Sequence, residues 1–248
     1  MVQHLAQGLL WKPLLLLMVN LSTRSHKKEL LDEDNIPFAE IKKNMQELNI
    51  INSRLGGHRI TQNAVKYFAK LSSCPLLVCE IGCGGGDNLA AIDRIKKIDC
   101  TFIGVDNKQA CIEFAKSQYK QLEATWQVCD YENASFINKP DVIFSSLFCH
   151  HFTDSQIVDM LTWMKNNSAQ GFFINDLQRH PMAYYLIKWI TKIFSKSYLV
   201  KHDAPLSVAR SFTRSEWVAY FAKADIVNYS IRWQWAFRYL IISKNNNK

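Results

Sequence analysis

Over its 248 residues the sequence has no Cys-x-x-Cys pair, no sustained run of lysine and arginine, no internal repeat and no apolar stretch long enough to cross a membrane. Each absence excludes a class. The seven cysteines (Cys74, Cys79, Cys83, Cys100, Cys111, Cys129 and Cys149) are scattered, several inside apparent core strands, so they read as reduced thiols of a cytoplasmic protein and not as a disulfide framework. The formal net charge is +8, but the basic residues are dispersed and no nucleic-acid motif accompanies them. They read as a solvated basic surface, with peripheral contact to an anionic membrane left open. The apolar patch Leu9 to Trp11 and Leu14 to Val19 is broken by Lys12 and Pro13 and is too short for a membrane span. Residues 1–26 are therefore expected to be a leader, interfacial or poorly ordered.

What the chain does have is the stretch Leu76-Leu77-Val78-Cys79-Glu80-Ile81-Gly82-Cys83-Gly84-Gly85-Gly86-Asp87. It predicts a buried parallel strand running into a glycine turn and then a helix. Glycines at 82, 84 and 86 remove the Cβ atoms that would keep a ligand off the backbone. A dinucleotide fingerprint needs its third glycine at the sixth place, where this chain has Asp87, which argues against NAD. About twenty residues further on, the strand Thr101 to Asp106 ends in an acid placed to accept from two ribose hydroxyls.

The remaining elements follow in order. Helical pieces lie between Lys27 and Asn52, turn at Asn35-Ile36-Pro37 and end at Leu55-Gly56-Gly57; Thr61 is expected to cap the next helix. Asp87 or Asn88 should cap a helix over Leu89 to Ile98, and a helix over about Lys108 to Lys120 precedes the strand Ala124 to Val128. The strands Asp141 to Leu147 and Gly171 to Ile174 come next, the helix after the former capped by Thr153 or Asp154. The stretch 180–213 holds an apolar, aromatic-rich helix with Lys188, Lys192 and Lys196 spaced to share one face, suited to roofing a pocket or lying on a membrane. Thr213 or Ser215 caps the helix Glu216 to Ala224, and the strands Ile226 to Trp233 and Phe237 to Ser243 close the sheet before a polar tail at 244–248.

The spacing Glu80-x-Gly82-x-Gly84-x-Gly86, the acids Asp106 and Asp130, and this order of elements resemble a class I S-adenosylmethionine (SAM)-dependent methyltransferase over roughly residues 60–243. The stretches 52–59, 146–152, 175–177 and 202–208 also look like a bacterial branch associated with secondary metabolites such as aromatic polyketides. The resemblance implies an α/β, Rossmann-like fold: a seven-stranded, mostly parallel sheet with an antiparallel last strand and helices on both faces. An N-terminal helical lid over 27–72 precedes the SAM-binding domain at 73–243, which carries a helical insertion at about 180–213. It assigns Glu80, Gly82, Cys83, Gly84, Gly86, Asp106, Asn107, Asp130, Tyr131 and Leu147 to SAM, with Glu80 near the cationic end, Asp130 at the adenine amino group and Tyr131 beside the ring.

Methyl transfer is an in-line displacement, so the protein must align the acceptor and exclude water. A hydroxyl acceptor also benefits from a base, for which His151 or His150 is the candidate, with Asp176 orienting it. Asn175, Arg179, Tyr184, Tyr185 and Arg54 are candidates for the acceptor side, and Arg54, Arg59 or Arg179 could clamp a carboxylate. No metal ligands are assigned. The expected activity is O-methylation of a small apolar or aromatic, polyketide- or quinone-like acceptor. The rival reading is a non-catalytic SAM-binding partner or regulatory protein.

Overall fold

A computed structural model describes residues 19–33, 35–71, 75–95 and 98–245. The chain opens with a short 3-10 turn, Leu30–Asp32, then α1 (Phe38–Arg54) and α2 (Gly57–Ala69). The alternating core follows as β1 (Leu76–Ile81), α3 (Asp87–Asp93), β2 (Cys100–Asp106), α4 (Gln109–Gln118), β3 (Ala124–Val128), β4 (Val142–Ser146), α5 (Asp154–Asn167) and β5 (Gly171–Leu177). It ends with α6 (Pro181–Phe194), α7 (Tyr198–Arg210), α8 (Arg214–Lys223), β6 (Tyr229–Gln234) and β7 (Arg238–Lys244). The seven strands form one sheet in the order β3-β2-β1-β4-β5-β7-β6. β1 to β5 pair in parallel, while β7 runs antiparallel to β5 and to β6, as expected for this fold.

Alternation along the central strands builds a core on each face. Cys79 and Ile81 of β1, with Phe172 and Ile174 of β5, pack against Met160, Leu161, Trp217 and Phe221 of α5 and α8. Leu76, Val78 and Phe173 point the other way, onto Val65 and Phe68 of α2 and Leu89 and Ile92 of α3. Burying each such side chain contributes about 1.5–3 kcal/mol, so both helical layers are held by the same strands. Because the strand order reverses between β1 and β4, a crevice opens beyond their carboxyl ends, where ligands bind in such sheets.

Several local expectations change. The leader assigned to 1–26 is only partly testable, since 1–18 lie outside the described residues, but 19–26 are part of the fold. Arg24 is buried, its guanidinium donating to the carbonyls of Arg210 (2.8 Å) and Phe152 (2.9 Å) and to Asp154 (2.6 Å) and lying 4.1 Å over the Phe212 ring. Thr61 is not a cap: α2 begins four residues earlier because Gly56, in the left-handed region at φ 81°, turns the chain out of α1. Neither Asp87 nor Asn88 caps α3. Gly86 at φ 77° takes that place, and the helix stops at Asp93, short of Ile98. Lys196 lies beyond the end of α6, so that helix carries only Lys188 and Lys192. The polar tail also starts later, since Lys244 belongs to β7 and the Asn245 amide donates to the carbonyls of Lys165 and Ser168; residues 246–248 and Cys74 lie outside the described residues.

Arg24→Ala should cost about 2–4 kcal/mol, because two buried carbonyls and a ring face lose their partner. Urea unfolding at unchanged slope measures it, and a loss below about 0.5 kcal/mol would mean that the N-terminal segment does not hold the fold.

Candidate active site

The glycine turn after β1 is built for close approach. A Cβ on Gly82 (φ 66°) would stand 2.2 Å from the Phe148 ring, whereas one on Gly84 (φ 49°) would meet nothing within 4 Å. Gly84 therefore opens onto free space, a cavity of about 790 Å³ at the carboxyl ends of β1 to β4. The Gly84 amide donates to Asp106 Oδ2 (2.9 Å) and the Lys108 amide to Oδ1 (2.9 Å), so one carboxylate ties the turn to the end of β2. Burial pushes the Asp106 carboxyl up, and these two amides oppose that push.

Gly82, Cys83, Gly84, Asp106, Asn107, Asp130, Tyr131 and Leu147 all line this cavity. Asn107 donates to Asp130 Oδ1 (3.0 Å), fixing the acid at its mouth. The Tyr131 ring is buried edge-on against Phe152 and Trp163. Burial drives the Cys83 thiol well above its usual range, making it packing and not a nucleophile. Glu80 differs from its expected placement: it lies fully buried beneath the turn, off the cavity wall, with Oε1 taking the Asn88 amide (2.9 Å). Its Oε2 has no partner among the described residues, and burial raises its carboxyl well above the ordinary range.

A smaller apolar chamber of about 270 Å³ adjoins the first and shares Leu31, Asn44, Leu48, Leu147 and His151 with it. Ala183, Leu186, Ile187 and Ile190 of α6 roof it. Leu147, at φ 54°, holds a left-handed conformation that costs a non-glycine residue about 1–3 kcal/mol, and it stands where the two spaces meet. His150 and His151 follow on a 3-10 turn. Nδ1 of the buried His150 lies 2.9 Å from Asp176 Oδ1, and Nδ1 of the half-buried His151 lies 3.0 Å from Asp32 Oδ1. Burial tends to raise the Asp176 carboxyl, but the His150 contact brings it below its ordinary value.

Residues 78–171, from β1 to the start of β5, match the methyltransferase-domain family. The central segment of the chain is thus similar to a methyltransferase domain, and it carries the glycine turn, Asp106, Asp130 and both histidines. No curated relative matches the sequence. Among solved structures, the plantazolicin methyltransferase BpumL with S-adenosylhomocysteine (SAH) is 15% identical with a TM-score of 0.60, over 83% of this chain and 99% of that one. Human N-acetylserotonin methyltransferase with SAM is 16% identical with a TM-score of 0.62, over 85% of this chain but only 57% of that one. Magnesium protoporphyrin IX methyltransferase from Synechocystis with SAH is 12% identical with a TM-score of 0.54, over 86% and 90%.

Within the matched segment and its flanks, most residues expected on the acceptor side lie away from both spaces or are engaged with other parts of the fold. Asn175 is buried and donates to the Gly57 carbonyl (3.1 Å) and Thr61 Oγ1 (3.1 Å), clamping α2 to the sheet. Arg179 is spent on Glu216 (2.7 and 3.0 Å) and on the carbonyls of Ser211 and Leu21. Arg54 and Arg59 are exposed, and Tyr184 and Tyr185 lie off both cavity walls, Tyr185 accepting from the Val19 amide (3.2 Å). Sequence reasoning missed Glu29 and Asp32, which the 3-10 turn brings against both histidines. Their one signal was an acid three residues before another, a reciprocal capping box around Leu30–Asp32.

Burial pushes the Glu216 carboxyl up, yet the hydrogen bonds from Arg179 and the Thr213 amide hold it below its ordinary 4.5. A depressed folded value gives stability that is present above the unfolded value and lost as pH falls through the folded one. Glu216→Gln should therefore be less stable than the natural chain at pH 7, the gap closing on acidification below 4.5. A gap that stays constant from pH 7 to pH 3 in urea titrations counts against the pairing.

Proposed function

We propose that the protein is an enzyme that methylates an oxygen of a small, apolar or aromatic acceptor, with SAM as donor. The observation that carries this reading is the pair of joined spaces: an acid-lined cavity on a bare glycine turn, and an apolar chamber with the carboxylate-held His151 at the junction and His150 beside it. The residues suit SAM better than a dinucleotide. Asp87 sits in the first turn of α3, where a pyrophosphate would bind, while Asp106 and Asp130 offer acceptors to ribose hydroxyls and an amino group. Glu80, buried below the turn and accepting from Asn88, supports the turn from beneath.

When bound, SAM supplies an electrophilic methyl group. The chain supplies the rest. Gly82 and Gly84 let the backbone approach the donor, and Leu147, Leu31 and Leu48 exclude water where the spaces join. A carboxylate can only accept, so each histidine Nδ1 carries the proton shared with Asp32 or Asp176, and the neutral ring keeps its lone pair at Nε2. His151 Nε2 then takes the proton of an acceptor hydroxyl, and His150 with Asp176 sets the polarity beside it. Among the described residues, Arg238 is the one arginine lining the smaller chamber, buried with Nε and Nη1 unpartnered, so an acceptor there can offer an ionisable hydroxyl to His151 or a carboxylate to Arg238.

A second observation bears on where the acceptor comes from. α6 turns Ile187 and Ile190 to the chamber and leaves Trp189, Ile193 and Phe194 exposed at 64%, 51% and 76%, beside Lys188 and Lys192. No helix among the described residues is long and apolar enough to cross a membrane. We read this face as a peripheral contact with an anionic bilayer, from which an apolar acceptor enters.

Calorimetric titration should give micromolar binding of SAM and SAH and none of NAD, with Asp106→Ala weakening SAH by roughly 1–3 kcal/mol. NAD binding in place of SAH would reassign the turn. Sedimentation with vesicles should show binding to anionic but not zwitterionic lipid, reduced in Trp189→Ala; equal partition of the two proteins would remove the membrane reading.

A further inference from the structure

His150, His151 and Glu29 meet in a way that the proton-transfer role leaves unexplained. Both histidines have Nδ1 fixed by a carboxylate, Asp176 at 2.9 Å and Asp32 at 3.0 Å, which turns both Nε2 atoms toward one residue. His150 Nε2 stands 3.6 Å from Glu29 Oε1 and His151 Nε2 stands 3.8 Å from Glu29 Oε2. Both separations exceed a hydrogen bond, so two lone pairs and a carboxylate face one another across a gap. The ligand atoms of the three residues lie within 4.8 Å of one another. A tetrahedral ion with bonds about 2.1 Å long spaces its ligands about 3.4 Å apart, close to what is found.

The surroundings hold these groups in place. Asp203 accepts from the amides of Leu30 (2.9 Å) and Leu31 (3.0 Å), fixing the turn that presents Glu29. Arg210 donates to the carbonyls of His150 (3.0 Å), His151 (2.9 Å) and Lys27, bracing both sides of the gap without filling it. Its nearest approach to Glu29 is 3.9 Å, while Ser207 Oγ donates to Oε1 at 2.9 Å. Carboxylates behind metal-binding histidines fix the ring tautomer and orientation in the same manner. Both imidazoles and Glu29 line the smaller chamber, so further coordination positions would open into it.

We propose that Glu29, His150 and His151 bind one divalent first-row transition-metal ion, Zn²⁺ in preference to Mg²⁺, through both Nε2 atoms and the Glu29 carboxylate. Two imidazoles and one carboxylate suit such an ion, whereas Mg²⁺ prefers all-oxygen sites. The ion site deepens the oxygen-methylation reading and rests on it for its role. With the ion bound, an acceptor phenol or enol would ligate it as its oxyanion and release its hydroxyl proton to solvent, so the ion would take over the activating role given above to His151 Nε2. The acceptor class narrows to ligands with an ionisable oxygen.

The test uses the full chain, stripped with a chelator, dialysed, and titrated in turn with Zn²⁺, Co²⁺ and Mg²⁺ by calorimetry, with visible absorption followed for Co²⁺. One Zn²⁺ or Co²⁺ per chain is expected, with Co²⁺ absorption bands in the visible and no Mg²⁺ binding at the same concentrations. Glu29→Gln and His150→Ala should each weaken Co²⁺ at least about tenfold. Failure of the natural chain to bind either ion, or binding that both variants leave unchanged, overturns the site. SAH is titrated into the same sample: SAH binding without metal sinks the ion alone, and metal binding without SAH sinks the methyltransferase reading while the ion site stands.

Discussion

One carboxylate sets the geometry on which the rest depends. Asp106 accepts from the Gly84 amide and the Lys108 amide, joining the turn after β1 to the end of β2 across neighbouring strands. The turn can hold its left-handed glycines because that bond pins its middle, and β2 can end there because Lys108 leads directly into α4. Much of the larger cavity's wall is referenced to this point: Gly84 open above it and Asn107 and Asp130 beyond it, with Glu80 buried below and off that wall. A sheet buried on both faces supplies the rigid base, so the loops at its carboxyl end carry the chemistry without having to carry the fold.

The second half of the site is held by arginines and acids engaged mainly with the backbone. Arg24 and Arg210 spend their guanidinium groups mostly on backbone carbonyls, and Asp203 spends its carboxylate on two amides. Glu47 does the same between α1 and the turn joining α6 to α7, accepting from Ser195 Oγ and from the amides of Lys196 (2.9 Å) and Ser197 (3.1 Å). These charge-assisted bonds replace the regular ladder that loops lack, and they give an irregular wall positions as definite as those of a strand. The basic surplus of the chain is thus partly internal bracing.

The sheet was legible because its signals are local: five apolar runs ending at Gly82, Asp106, Cys129, Leu147 and Asn175 announce their own boundaries. The lining of the larger cavity was legible for the same reason, since Gly82, Asp106, Asp130 and Leu147 each lie at a strand end, although Glu80 and Gly86 fall outside it. The acceptor side was not. Arg179, Asn175 and Tyr185 are the right residue types near the right strand, but Glu216, Thr61 and the Val19 amide, all distant in sequence, claim them first. Glu29 and Asp32 lie more than a hundred residues before the histidines that they face, and no spacing rule spans such a gap. The cap residues of α2 and α3 were misplaced because glycines in positive φ, and not side chains, start both helices.

The short turn Leu30–Asp32 has a consequence for how such a chain can change over evolutionary time. The segment that matches the methyltransferase-domain family, residues 78–171, contains the glycine turn and both histidines but none of the N-terminal acids or the roof of α6. The larger cavity and the smaller chamber are thus both assembled from the central segment together with its flanks. Substitutions at Glu29 or on the inner face of α6 can reshape the smaller chamber without touching the wall of the larger cavity, so two chains with the same central segment need not enclose the same space.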